Sequence, residues 1–249
     1  AILNASTFGI GNAGNVIIQA QDSILFDGIS TNGRLLSGAF SDVSRNAVGM
    51  GGSIEISADT LNVTNGARLN ASTLNIGDAG DILIQARDNV LFDNSDAVSI
   101  VLENSIGEGG NIEIFTRSLE LINGADLNNF TFGIGNAGNI TIQAQDQVLF
   151  DNSTALSLVA PGAVGNGGNV TISANTLEVI NNSDLSSITF GEGNAGSVII
   201  QAQDSVRFDD SGATSAVDRR AQGDGGNVEI SARTLNVNNN SLLSSGTLG

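Results

Sequence analysis

The chain contains no cysteine, histidine, tryptophan, tyrosine or lysine. Without cysteine there is no disulfide and no thiolate chemistry. Without histidine, lysine or tyrosine, acid–base and nucleophilic chemistry is left to carboxylates, hydroxyls and arginine. Proline occurs once, and the aromatic residues, 4% of the chain, are all Phe. No apolar run approaches the ~20 residues that span a bilayer as a helix. Positive charge is also scarce: 9 basic residues, all Arg, stand against 26 acidic ones, for a formal net charge of −17. That balance argues against nucleic acid, or an anionic membrane, as a partner held by a basic face. It favours a well-solvated surface with a weak attraction for divalent cations. No signal peptide begins the chain, so the leader of a secreted protein is expected outside these residues.

What is abundant is glycine, with 32 residues, and regular apolar alternation within a 40% apolar chain. The glycines have no three-residue period, which excludes collagen, and the alternation argues against disorder. A motif Gly-x-[Ala/Gly]-Gly-x, followed by alternating apolar residues, begins at Gly11, Gly49, Gly77, Gly107, Gly135, Gly165, Gly193 and Gly223. The spacings are 38, then 28 and 30 in alternation. Two flavours therefore alternate, one reading GNAGNVIIQA or GDAGDILIQA, the other GMGGSIEISA or GNGGNVTISA. Self-similarity at such a period is the signature of a solenoid. The first interval carries 8 extra residues within the stretch Gly28 to Val48.

Each unit holds three short period-two segments. In the unit at Gly165, Val170, Ile172 and Ala174 alternate with Thr171 and Ser173, and Leu177 and Val179 flank Glu178. The turn Asn181-Asn182-Ser183-Asp184 follows, then a third segment from Leu185 to Phe190. Glycine spacing leaves no uninterrupted window for a helix. The expected fold is all-β: a parallel β-helix with three short strands per coil and about eight coils. It forms one repeat region over 1–249 and a rod of roughly 40 Å at ~4.8 Å per coil.

Stacking equivalent positions gives coherent ladders. In the second segment the inward pairs are Ile24/Phe26, Leu61/Val63, Val90/Phe92, Leu119/Leu121, Val148/Phe150, Leu177/Val179, Val206/Phe208 and Leu235/Val237. Phe in one flavour thus stacks on a smaller residue in the next, which holds core volume nearly constant per pair of coils. The outward column of the first segment reads Ile17, Glu55, Leu83, Glu113, Thr141, Thr171, Ile199, Glu229, with no glutamates on adjacent coils. At the preceding corner, Asn15, Asn111, Asn139, Asn169 and Asn227 stack with Ser53, Asp81 and Ser197 as a candidate amide ladder. Residues 1–10 match the third segment of a preceding coil, and 242–249 stop where another glycine corner is due. The rod is therefore expected to continue at both ends, its coils partnered by neighbouring coils of a longer chain.

Over essentially the whole chain, the stretches GNAGN[IV]xI, NGARLNAST, AILNASTFGIGNAGN and FDGISTNGRLLSGAF resemble the repeat regions of filamentous haemagglutinin-like exoproteins. The similarity is to the two-partner-secreted, cyanobacterial type in particular. The resemblance implies a right-handed β-helix, export through a partner pore, and a secreted or outer-cell-surface location.

Candidate chemistry is sparse. The densest acidic cluster is Asp209-Asp210, with Asp218, Asp224 and Arg219-Arg220 near in sequence. Asp209 matches Asp27, Asp93 and Asp151 at one corner, and a recurring residue serves the coil, whereas an active site occurs once. No catalytic residue and no cofactor is therefore expected. GDAGD (Gly77 to Asp81) and GDGGN (Gly223 to Asn227) resemble calcium loops. Most corners offer Asn in place of Asp, however, and hard cations want six or more oxygens, so no metal site is expected. The glycine motifs are not phosphate loops, since no helix and no lysine follows.

Surface display remains. Outward apolar residues Ile17, Leu25, Leu83, Leu91, Phe115 and Ile199 form a candidate exposed stripe. The Gly28 to Val48 stretch, with Arg34, Leu35, Leu36, Phe40 and Arg45, is a candidate contact loop. The expected function is a structural or adhesive segment of a rod-like surface protein, acting in adhesion or in an extracellular fibre. Its partners would be like molecules in a fibre, or surface glycans or proteins. The alternatives are a carbohydrate-active or carbohydrate-binding β-helix, and a purely self-associating fibre packed through the stripe.

Overall fold

The structure is a computed structural model that describes residues 1–29 and 36–247. Among these residues every regular element is a strand. The strands form two parallel sheets, one of 9 strands and one of 12. The chain is a parallel β-solenoid. Its eight first-segment strands begin at Val16, Ile54, Ile82, Ile112, Ile140, Val170, Val198 and Val228 and pair in that order over seven turns.

The third segments build the nine-stranded sheet, from Ile2–Asn4 to Leu242–Thr247. The first and second segments share the twelve-stranded sheet. In four coils they run together as one strand: Ile54–Thr64, Ile82–Asp93, Val170–Ile180 and Val198–Asp209. The bend between them has no glycine or left-handed residue, and pairing carries through it with a register shift at Ala58/Thr60 and at Ala174/Thr176. Such a bulge absorbs one extra residue and turns the strand.

The same pairings explain the alternation of 28 and 30. Compared with the coil before it, the coil at Val198 has one extra residue at this first bend (Ala202 to Ser205 against Ala174 to Thr176). It has one fewer at the second corner (Asp209 to Gly212 against Ile180 to Asp184). It has two more at the third corner (Val217 to Gln222 against Thr189 to Glu192). The longer flavour therefore pushes an extra turn outward at the third corner only.

The core is the inward ladder expected from the sequence. Val148 pairs with Leu177 and Phe150 with Val179, and these in turn with Val206 and Phe208. Phe92, Phe150 and Phe208 are fully buried, each worth roughly 1.5–3 kcal/mol relative to exposure. The nine-stranded sheet compensates them. Its inward column alternates Ala97, Leu127, Ala155, Leu185 and Ala213, all buried. A coil with Phe thus carries Ala on the opposite wall, and a coil with Val or Leu carries Leu, so volume balances within each coil as well as between coils.

The glycine corner has a steric cause. A Cβ added at Gly135 or Gly138 would collide with the carbonyl oxygen of Gly107 or Gly110 on the preceding rung. Backbone lies directly on backbone there, and only glycine permits the approach.

Candidate functional site

The polar residues of the corners are engaged along the rod axis. At the second corner, Asn65, Asn123 and Asn181 donate Nδ2–H to Asp27, Asp93 and Asp151 of the preceding rung at 2.6, 2.8 and 2.7 Å. Asn239 does the same to Asp209. These asparagines sit at φ of 51–57°, a left-handed conformation that Asn tolerates. The amide of Asn65, with the Thr64 hydroxyl, holds the Asp27 carboxyl below its ordinary pKa.

The column at the glycine corner is also formed. The backbone N–H of Asn111, Asn139, Asn169 and Ser197 donates to the side-chain oxygen of Asp81, Asn111, Asn139 and Asn169 respectively, at 2.7–3.0 Å. A second such column runs beside it through Asp78, Glu108, Asn136, Asn166, Asn194 and Asp224. Inside the corner, buried Ser99 and Ser157 bond Gly80 and Gly138 carbonyls at 3.0 and 3.1 Å and accept from Gly110 and Gly168. These staples satisfy backbone groups that burial would otherwise leave unpaired.

The acidic cluster of the sequence is dispersed. Asp209 lies at the second corner with Arg207 and Asn239, Asp218 at the third corner, and Asp224 at the glycine corner. Asp78 and Asp81 of GDAGD accept from the next rung. Among the described residues no group of three or more His, Cys, Asp or Glu is placed to hold a metal ion.

The insertion resolves into Ile29 to Leu36, closed by an antiparallel bridge between those two residues and by Ser37 N–H to Gly28 C=O at 3.0 Å. Arg34 and Leu35 lie outside the described residues, and Leu36 is half-buried. Phe40 ends the strand Gly38–Phe40, half-buried, and Arg45 is exposed on a turn closed by Ala47 N–H to Ser44 C=O. These two belong to regular coil positions, opposite Asn70 and level with Glu103 two coils on.

The expected apolar stripe divides into three columns. Ile17, Leu83 and Ile199 share theirs with Glu55, Glu113 and Glu229. Leu25 and Leu91 share another with Asn62 and Glu120. Phe115 lies between Gln85 and Gln143. Ile17 and Leu25 are exposed, whereas Leu83, Leu91, Phe115 and Ile199 are half-buried. Phe115 lines a groove of about 740 Å³ that follows the first bend, with Ala58, Ala86 and Ala174 in its lining beside Gln85, Gln143, Gln145 and Gln203.

One surface was not read from the sequence. The residues just before each glycine corner bridge in a continuous column: Ile10, Val48, Ile76, Ile106, Ile134 and Val164, then Glu192 and Gln222. The first six are all exposed, Ile106 at 51% and Ile134 at 53%. Beside them rise the third-corner turns of the longer coils, 44–47, 102–105, 160–163 and 218–221, each closed by an N–H to C=O bond of 3.0–3.1 Å. Between the turns lie troughs floored by Phe132, which is exposed, and Phe190, which is half-buried. Phe132 also meets Phe130 edge-on at 6.0 Å. The signal was present in the sequence as six β-branched residues, each directly preceding a corner glycine.

No family model, no curated protein and no solved structure matches the chain.

Proposed function

We propose that the chain is a structural and adhesive segment of a rod-like exoprotein, secreted or held at a bacterial cell surface. The observation that carries this reading is the commitment of the recurring Asp, Asn and Ser side chains to coil-on-coil bonds. Such bonds stiffen a rod and leave repeated outer faces for many weak contacts, hence avidity. The resemblance to filamentous haemagglutinin-like repeats supports the same reading and adds export through a partner pore. Electron microscopy of native material containing this chain tests it. Long thin fibres of β-helix width are expected, and isolated compact particles would overturn it.

A second reading is favoured by the groove at the first bend, where amides flank the single ring of Phe115. Amide donors and acceptors with a stacking ring suit the hydroxyls and faces of a neutral glycan. Binding to a glycan array that is lost in Phe115→Ala would favour this reading, and turnover of a bound glycan would make the segment an enzyme.

A further inference from the structure

We infer that the third-corner vertex is a self-pairing surface, on which a second copy of this chain docks antiparallel with its turns seated in the troughs. The inference rests on the rod reading above. The turns recur every second coil, ~9.6 Å apart, with a trough on each coil between. A ridge of that period fills several troughs at once only if its own period matches, and a second copy has that period by construction. A two-fold axis between the fourth and fifth coils interleaves the full length of both ridges. Such a contact is isologous, so every interaction occurs twice.

This register makes specific pairs. Pro161, exposed at the tip of the turn 160–163, enters the trough over Phe132 of the second copy. Glu103, exposed on the turn 102–105, enters the trough lined by Phe190, Pro161, Asp218, Arg219 and Arg220, where two guanidiniums outnumber one carboxylate. Among the described residues Arg45, Arg219 and Arg220 form no ion pair, while Arg68, Arg87, Arg117, Arg207 and Arg233 all do. In a chain of net charge −17, a doublet of free arginines opposite a carboxylate gives the contact local complementarity and fixes its register.

Beside the ridge, the apolar residues Ile76, Ile106, Ile134 and Val164 add contact surface, bounded by Glu192 on the next rung. Eight coils at ~4.8 Å span roughly 34 Å between first and last rung. With seven residues across, roughly 20 Å, the strip covers about 700 Å² per copy. That is close to the ~800 Å² per partner of a standard interface. Backbone groups of the column are bonded rung to rung, as Gly107 N–H to Ile134 C=O at 3.0 Å shows. Side chains alone make the contact.

Sedimentation equilibrium of the purified chain, over roughly 1–100 µM, tests the pairing. A dimer is expected. Glu103→Arg, or Arg219→Glu with Arg220→Glu, should each raise its Kd at least about tenfold, because each change acts twice. The triple charge exchange should bring Kd back to within about threefold of the original. Thr171→Glu, on the first-segment outward column between Thr141 and Ile199, should leave it unchanged. All four positions are surface side chains, and unaltered thermal melts by circular dichroism will show that the fold is kept. A monomer throughout the range, a dimer indifferent to Glu103→Arg, or a charge exchange without recovery overturns the pairing. A monomer that pellets with phosphatidylcholine vesicles also overturns it and assigns the column to lipid. Small-angle scattering on the same samples separates the two proposals. An elongated monomer removes the pairing and keeps the rod, whereas a monomer that is not elongated removes the rod.

Discussion

Two outward columns run the length of this rod and differ in one respect. The first-segment column places glutamate at Glu55, Glu113 and Glu229 among Ile, Leu and Thr. The third-corner column holds β-branched apolar residues on six successive rungs, from Ile10 to Val164. Both project from stacked parallel backbone, and members of the second are if anything more exposed, Ile134 at 53% against a half-buried Leu83. Burial therefore does not explain why one column interleaves charge along its length and the other carries none on its first six rungs, up to Glu192. Charge spaced along a surface column resists lateral pairing, and an unbroken apolar column invites it. Outward apolarity here is a property of how the surface is used, separate from what folds the coil.

The comparison stands on the inside–outside alternation, and the largest predicted effect tests that first. Phe150 is fully buried and Glu178, on the next rung beside its partner Val179, faces out. Phe150→Ala should cost about 3–5 kcal/mol through the cavity it leaves. Glu178→Ala removes only an exposed contact with Arg207, and such pairs contribute ~0–1 kcal/mol. Urea unfolding of both variants gives the contrast. Equal losses would mean that the alternation, and both columns with it, had been misplaced.

The next effect concerns a carboxylate on the nine-stranded sheet, which leads into the third-corner column. Asp42 follows Phe40 on the outer face of the nine-stranded sheet, where it accepts from Ser72 N–H at 2.9 Å and Asn70 Nδ2–H at 2.8 Å. Burial pushes its pKa up from 3.8 to about 6, against the pull of those two bonds. Burial also raises Asp126 and Asp184 on the same sheet. A carboxyl whose folded pKa is raised stabilises the fold when protonated. That contribution is complete below about pH 4 and is lost as pH rises through about 6, by up to about 3 kcal/mol for Asp42. Stability measured by urea titration should therefore increase from pH 7 to pH 5. Asp42→Asn keeps an acceptor oxygen and removes the charge, so it should stabilise the chain at pH 7.5 and flatten part of that rise. A steeper pH dependence in Asp42→Asn would contradict the assignment.

How much of this was legible follows from what repeats. The ladders from Ile24/Phe26 to Leu235/Val237 and the Asn15 to Asn227 column depend only on equivalent positions in successive units, and stacking makes such positions neighbours. The pairing of Asp27 with Asn65 was half legible. The aspartates recur visibly, but their donors belong to the other flavour and sit one residue further along, a relation that the different corner lengths conceal. The volume exchange between Phe92 and Ala97 crosses the coil interior, and period-two reading treats each segment alone. The third-corner column was overlooked for a related reason. Its residues precede the glycine that marks each unit, so they fall at the seam between units. Phe40 and Arg45 lie in sequence after the insertion, but in space the chain has already rejoined the coil at Ser37, so length alone does not mark where the loop ends.

The smallest effect isolates the rule that shapes the first column. Thr141 and Thr171 are adjacent in it, and they differ in their other neighbour: Thr141 pairs with Glu113, Thr171 with Ile199. Thr141→Glu places a carboxylate one rung from Glu113 and should cost ~0.2–1 kcal/mol. Thr171→Glu meets no like charge on either adjacent rung and should be close to neutral. Because the difference is electrostatic and solvent-exposed, it should shrink as salt is raised from ~0.05 to ~1 M, where the screening length falls to about 3 Å. Paired thermal melts at the two salt concentrations measure it. A Thr141→Glu loss that ignores salt would assign the cost to the β-propensity of Thr. The alternation of glutamates would then be a by-product of the two coil flavours, and charge avoidance would explain neither column.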